Sequence, residues 1–211
     1  MRVIAGTAKG ITLLTPKSGG VRPATDRVKE SVFSIIGDFI EGARVLDLFA
    51  GSGAVGIEAL SRGAARCTFV ENDARCVKVI KKNLARTRLA DRAHVIQANA
   101  QRSAEIMDPR EIPFDLAFVD PPYSHSRRMD DLSPVARLLA AIGEGDFLCP
   151  HALVILEHET HSRAPDRAGC LHLADQRRYG GTTVSIYEKS ADTGTSPLPA
   201  PIDGEYDQPE A

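Results

Sequence analysis

The chain has 211 residues, 43% of them hydrophobic, which suits one α/β domain with a small appendage and excludes two ordinary enzymes. The formal net charge of -2 does not exclude a polyanionic partner, because the charge is unevenly placed along the chain. No apolar run approaches the roughly 20 residues needed to span a bilayer, and the four cysteines show no metal-ligand spacing, so neither a membrane nor a metal is expected. Nothing at the N-terminus resembles a secretion signal, and a cytoplasmic monomer with reduced thiols is expected.

In chain order, 2–5 and 11–14 are expected to form a small hairpin turning near 6–10. Residues 1 to 30 carry Arg2, Lys9, Lys17, Arg22, Arg27 and Lys29 against only Asp26 and Glu30, so this arm is basic. A helix is expected to start near Thr25 as N-cap, to present Val28, Val32, Phe33 and Ile36 on one face, and to end at Gly37. From residue 45, short runs rich in β-branched residues alternate with amphipathic stretches, the pattern of βα units around a parallel sheet. Strands are predicted over 45–49, 67–71, 94–98, 114–120 and 153–158, with helices over 56–62, 74–87 and 132–142. The second helix sets Val77, Ile80 and Leu84 against Lys78, Lys81, Lys82 and Arg86, and this basic face reads as ordinary solvation. After the fifth strand, 171–174 and 183–188 flank Arg177-Arg178-Tyr179-Gly180-Gly181 and predict an antiparallel hairpin. Residues 190 to 211 contain five acidic residues, four prolines and no Lys or Arg, a composition expected to stay disordered.

The chemistry concentrates in two loops. Asp47-Leu48-Phe49-Ala50-Gly51-Ser52-Gly53-Ala54-Val55-Gly56 follows a strand and opens a helix, so that backbone N–H groups are exposed beside a ligand. Gly51, Gly53 and Gly56 satisfy G-x-G-x-x-G, and Glu71 falls where an acid would hold ribose hydroxyls, which leaves a dinucleotide dehydrogenase open. Against that, the Asp47 carboxylate would repel a pyrophosphate and suit the cationic amino-acid part of S-adenosylmethionine. Phe49, Ser52, Asn72, Asn99 and Ala100 complete the expected cofactor site, with Asn99 read either as an adenine contact or as a turn residue.

The fourth strand delivers Asp120-Pro121-Pro122-Tyr123 to the carboxyl edge of the sheet. The prolines hold the Asp120 side chain and the Pro121 carbonyl rigidly. An exocyclic base amine attacks a sulfonium methyl only when its N–H bonds are held by acceptors, which Asp120 and the Pro121 carbonyl would supply. Tyr123 would stack on a base that is unpaired or flipped out. His158 and His161 lack the helical H-E-x-x-H spacing of zinc enzymes and are read as structural.

These motifs resemble the RsmD-type 16S ribosomal RNA (guanine-N2) methyltransferase family. The resemblance rests on Arg2-Val3-Ile4-Ala5-Gly6 with Lys9-Gly10, on Val21 to Glu30, on the two loops above, and on Arg178-Tyr179-Gly180-Gly181-Thr182. The stretch from Val21 to Glu30 is the most specific, and Ala24 stands where the family often has Thr. The resemblance implies a Rossmann-like class I methyltransferase fold, with a seven-stranded, mostly parallel sheet, an antiparallel C-terminal hairpin and a small N-terminal β-hairpin extension. The expected division is 1–24 as the extension, 25–189 as the methyltransferase domain and 190–211 as the tail. It also implies S-adenosylmethionine as cofactor and a guanine N2 of small-subunit ribosomal RNA, in the subunit or an assembly intermediate, as target. Arg22, Thr25, Arg27, Arg178 and Tyr179 are the implied RNA contacts. Adenine-N6 methylation of RNA or DNA, and an RNA-binding ribosome assembly factor with dispensable methylation, remain the alternatives.

Overall fold

Strands rich in Val, Ile, Leu and Phe and buried on both faces, as at the centre of this sheet, can only be satisfied by helices packed above and below them. The computed structural model, which describes residues 1–16, 26–122, 133–144 and 146–190, has that layered form. Strands β1 (Arg44–Leu48), β2 (Arg66–Glu71), β3 (Ala93–Gln97), β4 (Phe114–Val119) and β5 (Leu148–Glu159) run parallel. β6 (Arg167–Ala168), β7 (Leu171–Tyr179) and β8 (Thr182–Lys189) complete the sheet antiparallel, in the order β3-β2-β1-β4-β5-β8-β7-β6. The sheet therefore has the expected seven strands plus the two-residue β6.

Alternation along each strand sorts the side chains into two cores. Val45, Phe69, Leu116, Phe118 and Ile155 face helices α1 (Asp26–Ile36), α2 (Ala54–Ser61) and α3 (Ala74–Thr87), together with the arm residues Val3, Ala8 and Leu13. Leu46, Leu48, Val119, Val154 and Tyr187 face the opposite side, where α5 (Pro134–Gly143) supplies Val135, Leu138, Leu139 and Ile142. Between β3 and β4, one 3-10 turn (Ala100–Arg102) and a one-turn helix α4 (Ser103–Ile106) appear that the sequence pattern did not predict.

The arm is a hairpin in outline, with Arg2 bridged to Thr12 and Val3 N–H donating to the Ile11 carbonyl at 3.0 Å. Helix α2 begins two residues before its predicted start, because Gly53 adopts φ 77 and turns the chain directly into Ala54. β5 begins at Leu148 rather than 153. Pro150 and the left-handed His151 (φ 61) interrupt its pattern, and the register with β4 shifts there. The C-terminal turn is only Gly180-Gly181, so Arg177, Arg178 and Tyr179 lie in β7, not in a connecting loop. The tail from 191, and with it the expectation of disorder there, lies outside the described residues.

Candidate active site

In this sheet the strand order reverses between the parallel neighbours β1 and β4, and the crevice at the carboxyl ends of those strands is where such sheets bind ligands. The parallel register sets Leu48 beside both Val70 and Val119, which brings Asp47, Glu71 and Asp120 to one edge. The pairing of Val119 with Leu156 then puts Glu157 next to Asp120. Because β8 is antiparallel to β5 and pairs Thr182 with Glu159, the β7–β8 turn with Arg178 and Tyr179 comes to this same edge.

The glycine loop is shaped by backbone strain and by two carboxylates. Phe49 holds φ 60, a left-handed conformation that is costly for a residue with a side chain and characteristic of ligand-clamping turns. Glu71 Oε2 accepts the Gly51 N–H at 2.8 Å and Oε1 accepts the Asp73 N–H at 2.8 Å, so the acid fixes both the loop and the start of α3. Asp47 is 3% exposed, and its Oδ2 accepts the Gly56 N–H at 2.9 Å inside the first turn of α2. Gly56 admits no side chain, since a Cβ there would stand 2.3 Å from the Phe69 ring and 2.6 Å from the Cys67 sulfur. Ser52 is buried and Asn72 exposed. Asn99 caps the short turn after β3 by accepting the Gln101 N–H at 3.0 Å, and Ala100 beneath it is buried.

Electrostatically this edge is strained toward positive ligands. Burial pushes the Asp47 carboxyl up to about 7, against the partial relief of the Gly56 N–H and with a further push from Glu71. Asp120 is raised well above the usual carboxylate range, first by burial, then by the negative charges of Glu157 and Asp47. Glu157 is itself pushed up to about 6 by burial. A cation placed among these carboxylates relieves all of them, whereas a pyrophosphate would add to the repulsion. The donor set therefore fits S-adenosylmethionine and not a dinucleotide.

Pro121 is buried and Pro122 exposed, while Tyr123 lies outside the described residues, as do Arg22 and Thr25. Arg27 and Arg178 are exposed. Tyr179 is half-buried and packs against the core beneath α1 to α3. His158 has both ring nitrogens engaged, Nδ1 with the Glu159 carbonyl at 2.9 Å and Nε2 with Ser185 Oγ at 2.8 Å, and burial lowers its pKa. His158 is a core residue.

Residues 1–188 match the family described as conserved hypothetical protein 95. The chain belongs to this family. Within it, the chain is similar to ribosomal RNA small subunit methyltransferase D of Escherichia coli K12, 36% identical over 191 residues that cover 90% of this chain and 91% of that protein. It is 39% identical over 189 residues to YlbH of Bacillus subtilis 168, which carries the name of an rRNA methyltransferase, covering 90% of this chain and 99% of that one. The solved structure of yhhF from Escherichia coli superposes with a TM-score of 0.75 at 33% identity, covering 91% of this chain and 99% of that chain. The chain is thus an enzyme of the RsmD type, a methyltransferase with the class I fold.

Two buried side chains that tie the N-terminal arm to the helices beside the glycine loop escaped the sequence reading. Asn83, buried on α3, donates to the Ser52 carbonyl of the glycine loop at 2.9 Å and to the Leu14 carbonyl at 3.0 Å, and accepts the Leu14 N–H at 2.8 Å. Glu58, fully buried on α2, accepts the Ile4 and Ala5 N–H groups at 2.8 and 3.0 Å and is bridged by Lys29 at 3.3 Å and Arg62 at 2.8 Å. Each is a polar residue at a position where helical periodicity calls for an apolar one, and that mismatch was the available signal.

Proposed function

We propose that this enzyme transfers the methyl group of S-adenosylmethionine to the exocyclic N2 of a guanine in small-subunit 16S ribosomal RNA, presented by the subunit or an assembly intermediate. The observation that carries this reading is the meeting of Asp120-Pro121-Pro122 with the strained, carboxylate-rich glycine loop at the β1–β4 reversal. The names of the relatives support ribosomal RNA as the target class.

The cofactor supplies an electrophilic methyl and leaves as a neutral thioether. Glu71 keeps unused lone pairs for ribose hydroxyls beyond its two backbone N–H bonds. Asp47 would face the cationic amino-acid portion, with Phe49, Gly51, Ser52 and Gly53 shaping the wall around it. Asn72, Asn99 and Ala100 border the adenine side. Asp120 and the Pro121 carbonyl would accept the two amine N–H bonds, turning the nitrogen lone pair toward the methyl, and Asp120 would accept the proton the nitrogen sheds as the C–N bond forms. Tyr123 would stack on the base, and Arg22, Thr25, Arg27, Arg178 and Tyr179 would line the RNA path. The enzyme acts as a monomer in the cytoplasm, with 1–24 as an extension to the 25–189 catalytic domain and 190–211 as a tail.

The test is reaction with purified 30S particles and with naked 16S RNA, followed by nucleoside mass spectrometry. N2-methylguanosine is the expected product, and N6-methyladenosine in its place would refute the target assignment.

A further inference from the structure

Helix α3 carries a face that neither the cofactor site nor the core explains. Its inner side, Cys76, Val77, Ile80, Asn83, Leu84 and Thr87, is buried. Its outer side presents Arg75, Lys78, Lys81, Lys82 and Arg86, all exposed, and exposed Arg88 follows at its left-handed C-cap. No Asp or Glu occurs between 74 and 90.

An ordinary solvated helix face mixes charge signs, because neighbours three and four apart interact. Here Lys78 with Lys81, Lys78 with Lys82, and Lys82 with Arg86 are all like-charged pairs at those spacings, so the arrangement works against helix stability. Cations at the start of a helix also oppose its dipole. Neighbouring elements do not compensate. Arg75 is held by Asp73 at 2.6 Å, but among the described residues no carboxylate lies within ion-pair distance of Lys78, Lys81, Lys82, Arg86 or Arg88. In a chain of net charge -2, such a concentration is local and specific.

Position supplies the second argument. α3 starts directly after Glu71 and Asn72, at the carboxylate edge where the base must enter. Lys78, Lys82 and Arg86 then recur once per turn, each about 6 Å further along the axis. At the far end, Arg86 donates to the Thr12 carbonyl at 3.2 Å and so joins the stripe to the basic N-terminal arm, where Arg2 and Lys9 are exposed.

We propose that the outer face of α3 is an RNA-binding surface that holds backbone phosphates flanking the target base, reading charge and not sequence. The inference rests on the ribosomal RNA reading above. Phosphate contacts of this kind fix register and orientation while base contacts specify the target.

The experiment compares the wild type with Lys78→Gln/Lys81→Gln/Lys82→Gln, which removes repulsion from the helix and preserves its folding, and with the corresponding triple Glu variant. Binding to naked 16S RNA is measured over a salt series, with S-adenosylhomocysteine affinity and Tm as controls. For the Gln variant, the slope of log K against log salt is expected to fall by about 2 to 3, as for three lost phosphate contacts. The KM for RNA should rise at least about tenfold, with the Glu variant weaker still, S-adenosylhomocysteine affinity at the wild-type value and the Tm of the Gln variant no lower than wild type. An unchanged slope and KM in an active enzyme overturns the surface but leaves the function standing. Loss confined to assembled particles, with naked RNA bound as before, overturns it in favour of a contact with ribosomal protein. Failure of the wild type to bind or methylate ribosomal RNA overturns both.

Discussion

Asp47 sits where the needs of the fold and of the ligand compete. Its carboxylate anchors the first turn of α2, yet burial makes the charged form costly and sets its titration near neutrality. Because the folded state binds this proton more tightly than the unfolded chain, Asp47 favours the ligand-free fold at low pH. That contribution fades as the pH rises from the ordinary carboxylate range through about 7. Binding of a cation runs the other way, since it drives the proton off. Affinity for S-adenosylmethionine should therefore tighten between pH 5 and 7, by at most about tenfold per unit, and level off above 7. Calorimetry at pH 6 in buffers of different ionisation enthalpy should record proton release, and Asp47→Asn should remove it. Asp120 makes a complementary prediction. Asp120→Ala should lower methyl transfer by at least about 100-fold while S-adenosylhomocysteine still binds, because in the proposed mechanism this carboxylate accepts from the amine and not from the cofactor. Retention of near wild-type turnover would show that another group orients the nitrogen.

Among the elements, α2 and α3 were legible as helices, but the roles of their buried polar residues were not. The bounds of α3 could be read to the residue, because its apolar stripe is strongly periodic and Asp73 caps it by accepting the Arg75 N–H at 2.8 Å. The role of Asn83 could not, because its partners Leu14 and Ser52 lie 69 and 31 residues away and only the folded chain brings them together. The same holds for Glu58, whose network spans 54 residues to Ile4. β7 was read too short, because Arg177 and Arg178 resemble loop residues until their pairing with Val184 and Thr183 is seen. Glu58→Gln should cost about 3 to 5 kcal/mol in denaturant unfolding, since it leaves the Lys29 ammonium buried without its counter-charge. Asn83→Ala should loosen the glycine loop as well as the arm, and is expected to weaken S-adenosylhomocysteine binding in calorimetry with a smaller loss of Tm. Gly56→Ala, which forces a methyl into Phe69 and Cys67, should destabilise by about 1 to 3 kcal/mol.

At the scale of the whole molecule, the mostly parallel sheet with its antiparallel C-terminal hairpin was readable in advance, because apolar strands separated by amphipathic helices admit few topologies. The resemblance carried by the segment from Val21 to Glu30 pointed to the family, although half of that segment lies outside the described residues. The way the arm joins the body was not readable. Val3, Ala8 and Leu13 are 1%, 2% and 3% exposed, so the basic appendage is also part of the core. Deleting residues 1–14 should therefore lower Tm and the yield of soluble enzyme, not merely its RNA affinity, with Val3 and Leu13 each worth about 1.5 to 3 kcal/mol and Ala8 less.

The docking of Gly6 against the end of α2 has a further consequence for how this enzyme can be varied. A Cβ at Gly6 would stand 1.8 Å from the Ser61 carbonyl oxygen, and Thr7 and Ala8 donate to the Ser61 carbonyl and hydroxyl at 2.8 and 2.9 Å. The arm is therefore not an interchangeable module. In a chimaera, a foreign arm would graft cleanly only when transplanted with the faces around Glu58, Ser61 and Asn83, so that the arm and the helices it docks on are inherited as one cassette.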